Sequence, residues 1–139
     1  MSDYNDDFDV FDSYTGEIPP DEDLTVSELM LGSVDEFVRE QLMPDYMRVV
    51  GPRYQRRWAA DWWRYPEAVS RLDALWRSWE SARHDPTAMS SWWRVDVDHH
   101  IPVLMSSEGP FANSEDRNEP GQPLPYTAPP PSMFPDLRA

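Results

Sequence analysis

The chain has 139 residues, 26 of them acidic and 12 basic, for a formal charge of −14; every basic residue is arginine and there is no cysteine. That is enough chain for one domain with tails, and the lack of thiols excludes a disulfide framework, a cysteine nucleophile and a cysteine-ligated zinc site. No apolar run approaches the roughly eighteen residues a membrane span needs, and Asp3, Asp6, Asp7 and Asp9 stand where a signal peptide is positive, so a soluble cytoplasmic protein without membrane contact is expected.

In chain order, residues 1–32 form an acidic tail in which Tyr4, Phe8, Phe11 and Tyr14 are interleaved with aspartates. Residues 1–36 hold twelve acids and no base, and uncompensated charge of this kind opposes collapse, so disorder is expected. A helical domain is expected over residues 33–112. Ser33-Val34-Asp35-Glu36 reads as a capping box, Phe37, Val38 and Leu42 share one side of the helix it opens, and Pro44 ends or kinks that helix. Gly51-Pro52 breaks the chain again, and Tyr54, Trp58 and Trp62 at four-residue spacing suggest a second helix. Pro66 starts a third, with Val69, Leu72, Leu75, Trp76, Trp79 and Ala82 in one stripe. Glu67/Arg71 and Asp73/Arg77 make acid-then-base pairs on its other face. Asp85-Pro86 interrupts, a fourth helix runs from about Met89 toward Leu104 with a kink near Pro102, and Gly109-Pro110 closes the domain. No stretch alternates with period two. Residues 113–139, with seven prolines from Pro120 to Pro135, read as a second disordered tail, extended and partly polyproline II. The fold class expected is all-α: a small tryptophan-rich domain of about four helices between two disordered tails.

Within this domain the strings Tyr65-Pro66-Glu67-Ala68-Val69, Arg71-Leu72-Asp73-Ala74-Leu75-Trp76-Arg77, Trp79-Glu80 and Asp85-Pro86 stand as a series of spaced motifs. Trp92-Trp93-Arg94, Asp98-His99-His100 and Gly109-Pro110-Phe111 continue them. Together, over about residues 36–112, the chain resembles the actinobacterial Domain of Unknown Function family 4913. The resemblance implies a setting in plasmids, integrative elements and phages, and it implies no activity.

Three groups of residues are candidates for function. Adjacent helical residues point about 100° apart, so in Trp62-Trp63 and Trp92-Trp93 one ring can fill the core while the other meets a partner. Trp63 and Trp93, with Phe8 and Phe11 of the acidic tail, are the candidate partner-binding residues. Arg48, Arg53, Arg56, Arg57 and Arg64 form the basic cluster, in which Arg53, Arg56 and Arg57 are candidate phosphate contacts. The bland use of the same arginines is to cover aromatic faces and pair with Asp45, Asp61 or the tail. Asp96, His99 and His100 are weak candidates for a metal, because adjacent histidines on a helix diverge. An Asp96–His100 contact at a helix end is the plainer reading.

No catalytic residue, metal or cofactor is expected. The function expected is that of a non-enzymatic accessory protein-interaction module, contacting a protein partner through exposed aromatics and the acidic tail. The alternative is a nucleic-acid-associated factor that uses the arginine cluster with the acidic tail as a shield. The remotest is a metal-dependent hydrolase.

Overall fold

The computed structural model describes residues 28–138. Of the disordered tail expected over residues 1–32, residues 1–27 lie outside them. Met30, Leu31 and Gly32 are held by bonds to Glu80 and Glu36 and do not belong to a disordered tail. Among the described residues there are three helices and no strand, so the all-α class holds.

The first helix, α1 (residues 34–45), opens as the sequence requires. The Ser33 hydroxyl accepts from the Glu36 backbone N–H at 3.1 Å. The Glu36 carboxylate reaches back one residue further than a capping box does, to the N–H of Gly32 at 2.9 Å. Val34–Phe37 is α-helical, Val38–Leu42 is a π-turn, and Met43–Asp45 closes the helix one residue after Pro44. The third helix, α3 (residues 86–105), repeats the device. Pro86–Ser91 leads into a π-turn over Trp92–Val97 and then Asp98–Met105, which contains Pro102. In the π-turns the amide of Met43 bonds to the Val38 carbonyl and that of Asp98 to the Trp93 carbonyl, five residues back. A π-turn brings residues five apart nearly onto one face, which is how Val38 and Met43, and Trp92 and Val97, are buried in pairs.

Between them lies α2 (Pro66–Ala82), the straightest reading of the sequence. Leu72, Leu75, Trp76, Trp79 and Ala82 are buried, Val69 is half-buried, and the Glu67–Arg71 and Asp73–Arg77 pairs stand on the other face at 2.9 and 3.5 Å. Phe37 of α1 meets Trp79 of α2 and Trp92 of α3 at centroid distances of 5.9 and 6.2 Å. This places the three helices around one aromatic centre. Trp92 also donates its indole N–H to the Leu75 carbonyl at 3.1 Å.

One buried residue on α2 is a carboxylate. Glu80 is 0% exposed and accepts from the backbone N–H groups of Met30 and Leu31 at 2.9 and 2.8 Å. It also accepts from the Trp76 indole at 3.1 Å and from Arg83 Nε at 3.0 Å. A buried charge is tolerable only when paired and fully hydrogen-bonded, and Glu80 meets both conditions while tying residues 30–31 to α2.

Two further expectations are corrected. The helix expected from Pro52 across Tyr54, Trp58 and Trp62 does not form; residues 51–61 are turns and extended chain, followed by a 3₁₀ turn at Trp62–Arg64. Arg53 with Arg56 and with Arg57 would be like charges at i,i+3 and i,i+4, which oppose a helix. The backbone finds other partners instead. Arg57 N–H donates to the Met105 carbonyl at 2.8 Å, and Arg56 forms an isolated antiparallel bridge with Ser106.

The second correction concerns residues 113–138. They lack helix and strand, as their prolines dictate, but they are not a disordered tail. Leu124 is buried, Tyr126 and Phe134 pack on the core, and Phe134 stacks on Trp62 at 5.7 Å and 19°. Side chains replace the missing backbone ladder. Asn118 accepts from the Val50 N–H at 2.9 Å and donates to the Arg48 carbonyl at 3.0 Å. Asp116 accepts from the Ala60 N–H at 2.8 Å, and the Trp58 indole donates to the Pro125 carbonyl at 3.1 Å. At the far end Leu137 N–H donates to the Gly32 carbonyl at 2.9 Å, and Arg138 pairs with Glu36 at 2.9 Å. The approach is close enough that a Cβ on Gly32 would lie 2.1 Å from Asp136 Oδ1.

Candidate functional site

The docked proline-rich segment builds a groove with the loop ahead of α2. Trp63 is half-buried and donates its indole N–H to the Thr127 carbonyl at 2.9 Å, while Thr127 N–H returns to the Ala60 carbonyl at 3.0 Å. Arg64 lies over the Trp63 ring at 5.0 Å and pairs with Asp61 at 3.2 Å. With Pro129, Pro130 and Pro131 these residues line an open groove of about 580 Å³. Its Trp63 ring is held by a bond to the backbone of the docked segment, and the same segment contributes Pro129–Pro131 to its lining.

Trp93 is the other half-buried ring. It stands edge-on to Trp92 at 5.0 Å and packs against the core from α3, with neighbours different from those of Trp63. Phe8 and Phe11 lie outside the described residues.

The arginines divide by what they touch. Arg64 pairs with Asp61, as the plainer reading expects. Arg48 lies over the Tyr46 ring at 3.9 Å and bonds to the Met47 carbonyl. Arg56 donates to the Val49 carbonyl at 3.3 Å, and Arg57 donates to the carbonyls of Gly51 and Tyr54. Arg53 is exposed. It lines a smaller cavity of about 150 Å³ with Tyr54, Arg117, Asn118 and Glu119. Sequence reasoning missed Arg117, because it placed residue 117 in a detached tail. A signal existed in Leu124, Tyr126 and Phe134, apolar residues spaced through a segment that would otherwise have no use for them.

The histidine segment is arranged differently from the expectation. His100 Nδ1 lies 2.9 Å from Arg71 Nη1, so the imidazole accepts from the guanidinium and does not take its main contact from Asp96. Burial, then Arg71, then His99 push the His100 pKa below its ordinary 6.5, with Asp96 opposing. The Asp96–His100 pairing is therefore replaced by an Arg71–His100 bond, which favours the neutral ring. His99 is exposed, its ring 5.2 Å from that of His100. Among the described residues no three histidine or carboxylate side chains come together as a metal site.

Residues 31–131 match the family model described as a domain of unknown function (DUF4913). The chain belongs to that family. The DUF4913 match runs past Phe111 through Asn118, Leu124 and Tyr126 to Pro131. Both walls of the Trp63 groove therefore fall inside it, and so does the docked segment up to Pro131, while Phe134, Leu137 and Arg138 lie beyond it. No curated protein and no solved structure matches the chain. No helix among the described residues is long and apolar enough to cross a membrane.

Proposed function

We propose that this DUF4913 chain is a non-enzymatic accessory module of an actinobacterial mobile element or phage, and that it binds an extended, proline-containing segment of a partner protein in the Trp63 groove. The observation that carries the reading is the fixed Trp63 ring. Its indole is tied to Thr127 and its neighbour Arg64 to Asp61, in a groove that Pro129–Pro131 also line. An aromatic ring held in place before binding loses little freedom when a ligand arrives. Aromatic-lined grooves also suit polyproline-type segments, whose conformation is likewise preformed. A non-enzymatic role is supported by the histidine segment, where His100 accepts from Arg71 instead of pairing with Asp96 as an acid–base group. The mobile-element setting rests on the resemblance of the motifs, and the groove carries the binding.

The test is a titration of ¹⁵N-labelled protein with a panel of proline-rich peptides about ten residues long, polyproline among them. Saturable shifts of the Trp63 indole N–H and of the amides of residues 60–64 and 127–128 are expected, weakened in Arg64→Ala. Shifts centred on α3, or none with any peptide, would contradict the reading.

A further inference from the structure

The twelve arginines separate into two populations. Arg39, Arg64, Arg71, Arg77, Arg83 and Arg138 each have a carboxylate within ion-pair distance. Among the described residues Arg48, Arg53, Arg56, Arg57, Arg94 and Arg117 have none. Arg94 stands on α3, where it donates to the Ser91 hydroxyl, and the other five lie along one edge. Asn118 binds the backbone at Arg48 and Val50, and a Cβ on Gly51 would lie 2.8 Å from that of Arg117. The 116–119 segment is thereby laid beside the 48–57 loop. Arg53 and Arg117 then line the same cavity of about 150 Å³ with one carboxylate, Glu119, and the exposed ring of Tyr54 beside them, two positive groups against one negative. Several of these guanidiniums bond to backbone carbonyls, which orients them without neutralising them. The described residues as a whole carry seventeen acids against twelve arginines, so this edge is a positive patch on a negative domain.

We infer that the occupant of this edge is the acidic segment of the same chain, Asp3–Asp23. Residues 1–27 carry nine acids and no base, the complementary charge to five unneutralised guanidiniums. Tyr4, Phe8, Phe11 and Tyr14 are spaced three or four apart among those acids, so the segment offers guanidiniums both carboxylates and ring faces. Length is no obstacle. Twenty-seven residues can extend up to roughly 90 Å, several times the radius of gyration of about 13 Å for a domain of this size. Tethering makes the contact intramolecular, with an effective concentration no free polyanion of similar charge easily matches. The edge is thus covered by the chain's own acids, and a phosphate-rich polymer reaches it only by displacing them. This contact is separate from the Trp63 groove, and neither depends on the other.

The absence of native cysteine allows a single nitroxide to be placed in the full chain at Ser13→Cys. At low ionic strength the amides of residues 53–57 and 117–119 are expected to broaden most. The broadening should vanish at about 0.5 M salt, where screening reaches only a few ångströms. It should also vanish in Arg53→Glu/Arg117→Glu, provided that the variant's amide spectrum elsewhere matches the parent. Uniform broadening, broadening centred on another face, or broadening that survives charge reversal would overturn the inference. So would transfer of the effect to unlabelled chains in a mixture of spin-labelled ¹⁴N and unlabelled ¹⁵N protein, because the contact would then lie between copies. A single-stranded oligonucleotide added at low salt should relieve the broadening as it binds. If it binds the edge and leaves the broadening intact, the segment sits elsewhere.

Discussion

The helices and the irregular segments cover the same core by different means. In α2 the backbone satisfies itself, and a stripe of Leu72, Leu75, Trp76 and Trp79 is all that must be buried. In residues 46–61 and 106–138 little of the backbone is self-satisfied, and side chains take over. The indoles of Trp58 and Trp63 bond to the Pro125 and Thr127 carbonyls, and Asp116 and Asn118 stand in for a neighbouring strand. Those bonds give the proline-rich segment a fixed place without secondary structure. They also create both surfaces discussed above, since the Trp63 groove and the Arg53–Arg117 edge each have one wall from that segment. Both proposed surfaces therefore lie where periodicity is silent.

The contrast can be broken by mutation. Trp76→Ala, in the middle of the α2 stripe, should cost about 3–5 kcal/mol in urea unfolding, because the ring is essentially fully buried. A loss under 1 kcal/mol would mean that the stripe is not the core. Glu80→Ala should cost on the order of 3 kcal/mol, since it leaves Arg83, the buried Trp76 indole and the part-buried amides of Met30 and Leu31 without their acceptor. Hydrogen exchange at Met30 and Leu31 should quicken more than in α3, and equal quickening everywhere would deny the local tie. Leu124→Ala should cost about 2–3 kcal/mol. It is the sharpest of the substitutions, because a detached tail would give no change at all.

The smallest effect is one of pH. Burial and the hydrogen bond to Asp35 at 2.7 Å raise the Tyr126 pKa from 10 to about 12. The fold thus favours the protonated phenol, so its contribution is complete below about pH 10 and is lost as pH rises toward 12. Stability should decline across that window, and Tyr126→Phe should remove that part of the decline. An unchanged pH profile in the variant would free Tyr126 from Asp35.

How far the sequence could be read follows from the same contrast. The α2 stripe, its two ion pairs and the Ser33 cap were legible because each is a local pattern of spacing. Trp58 and Trp62 carried a helical spacing that misled. Both rings are buried, but they reach the core from extended chain and a 3₁₀ turn, where the amides of Arg57 and Ala60 pair with Met105 and Asp116, 48 and 56 positions away. Glu80 was in view as part of a motif, four residues after Trp76 on the apolar side. Its role needs Met30 and Leu31, which no helical period connects to it. The prolines of residues 120–135 correctly excluded helix and strand, yet exclusion of regular structure does not imply exclusion from the core. Leu124 and Phe134 were the residues that carried that distinction.

Backbone ¹⁵N relaxation of residues 113–138 in the full chain tests the central claim most directly. The amides of Asp116, Asn118, Leu124, Tyr126, Thr127, Phe134 and Leu137 should have order parameters near those of α2, about 0.85 on the scale of rigid backbone. Values below about 0.6 along that segment would return it to solution as a mobile tail, and with it would go both walls on which the groove and the basic edge depend.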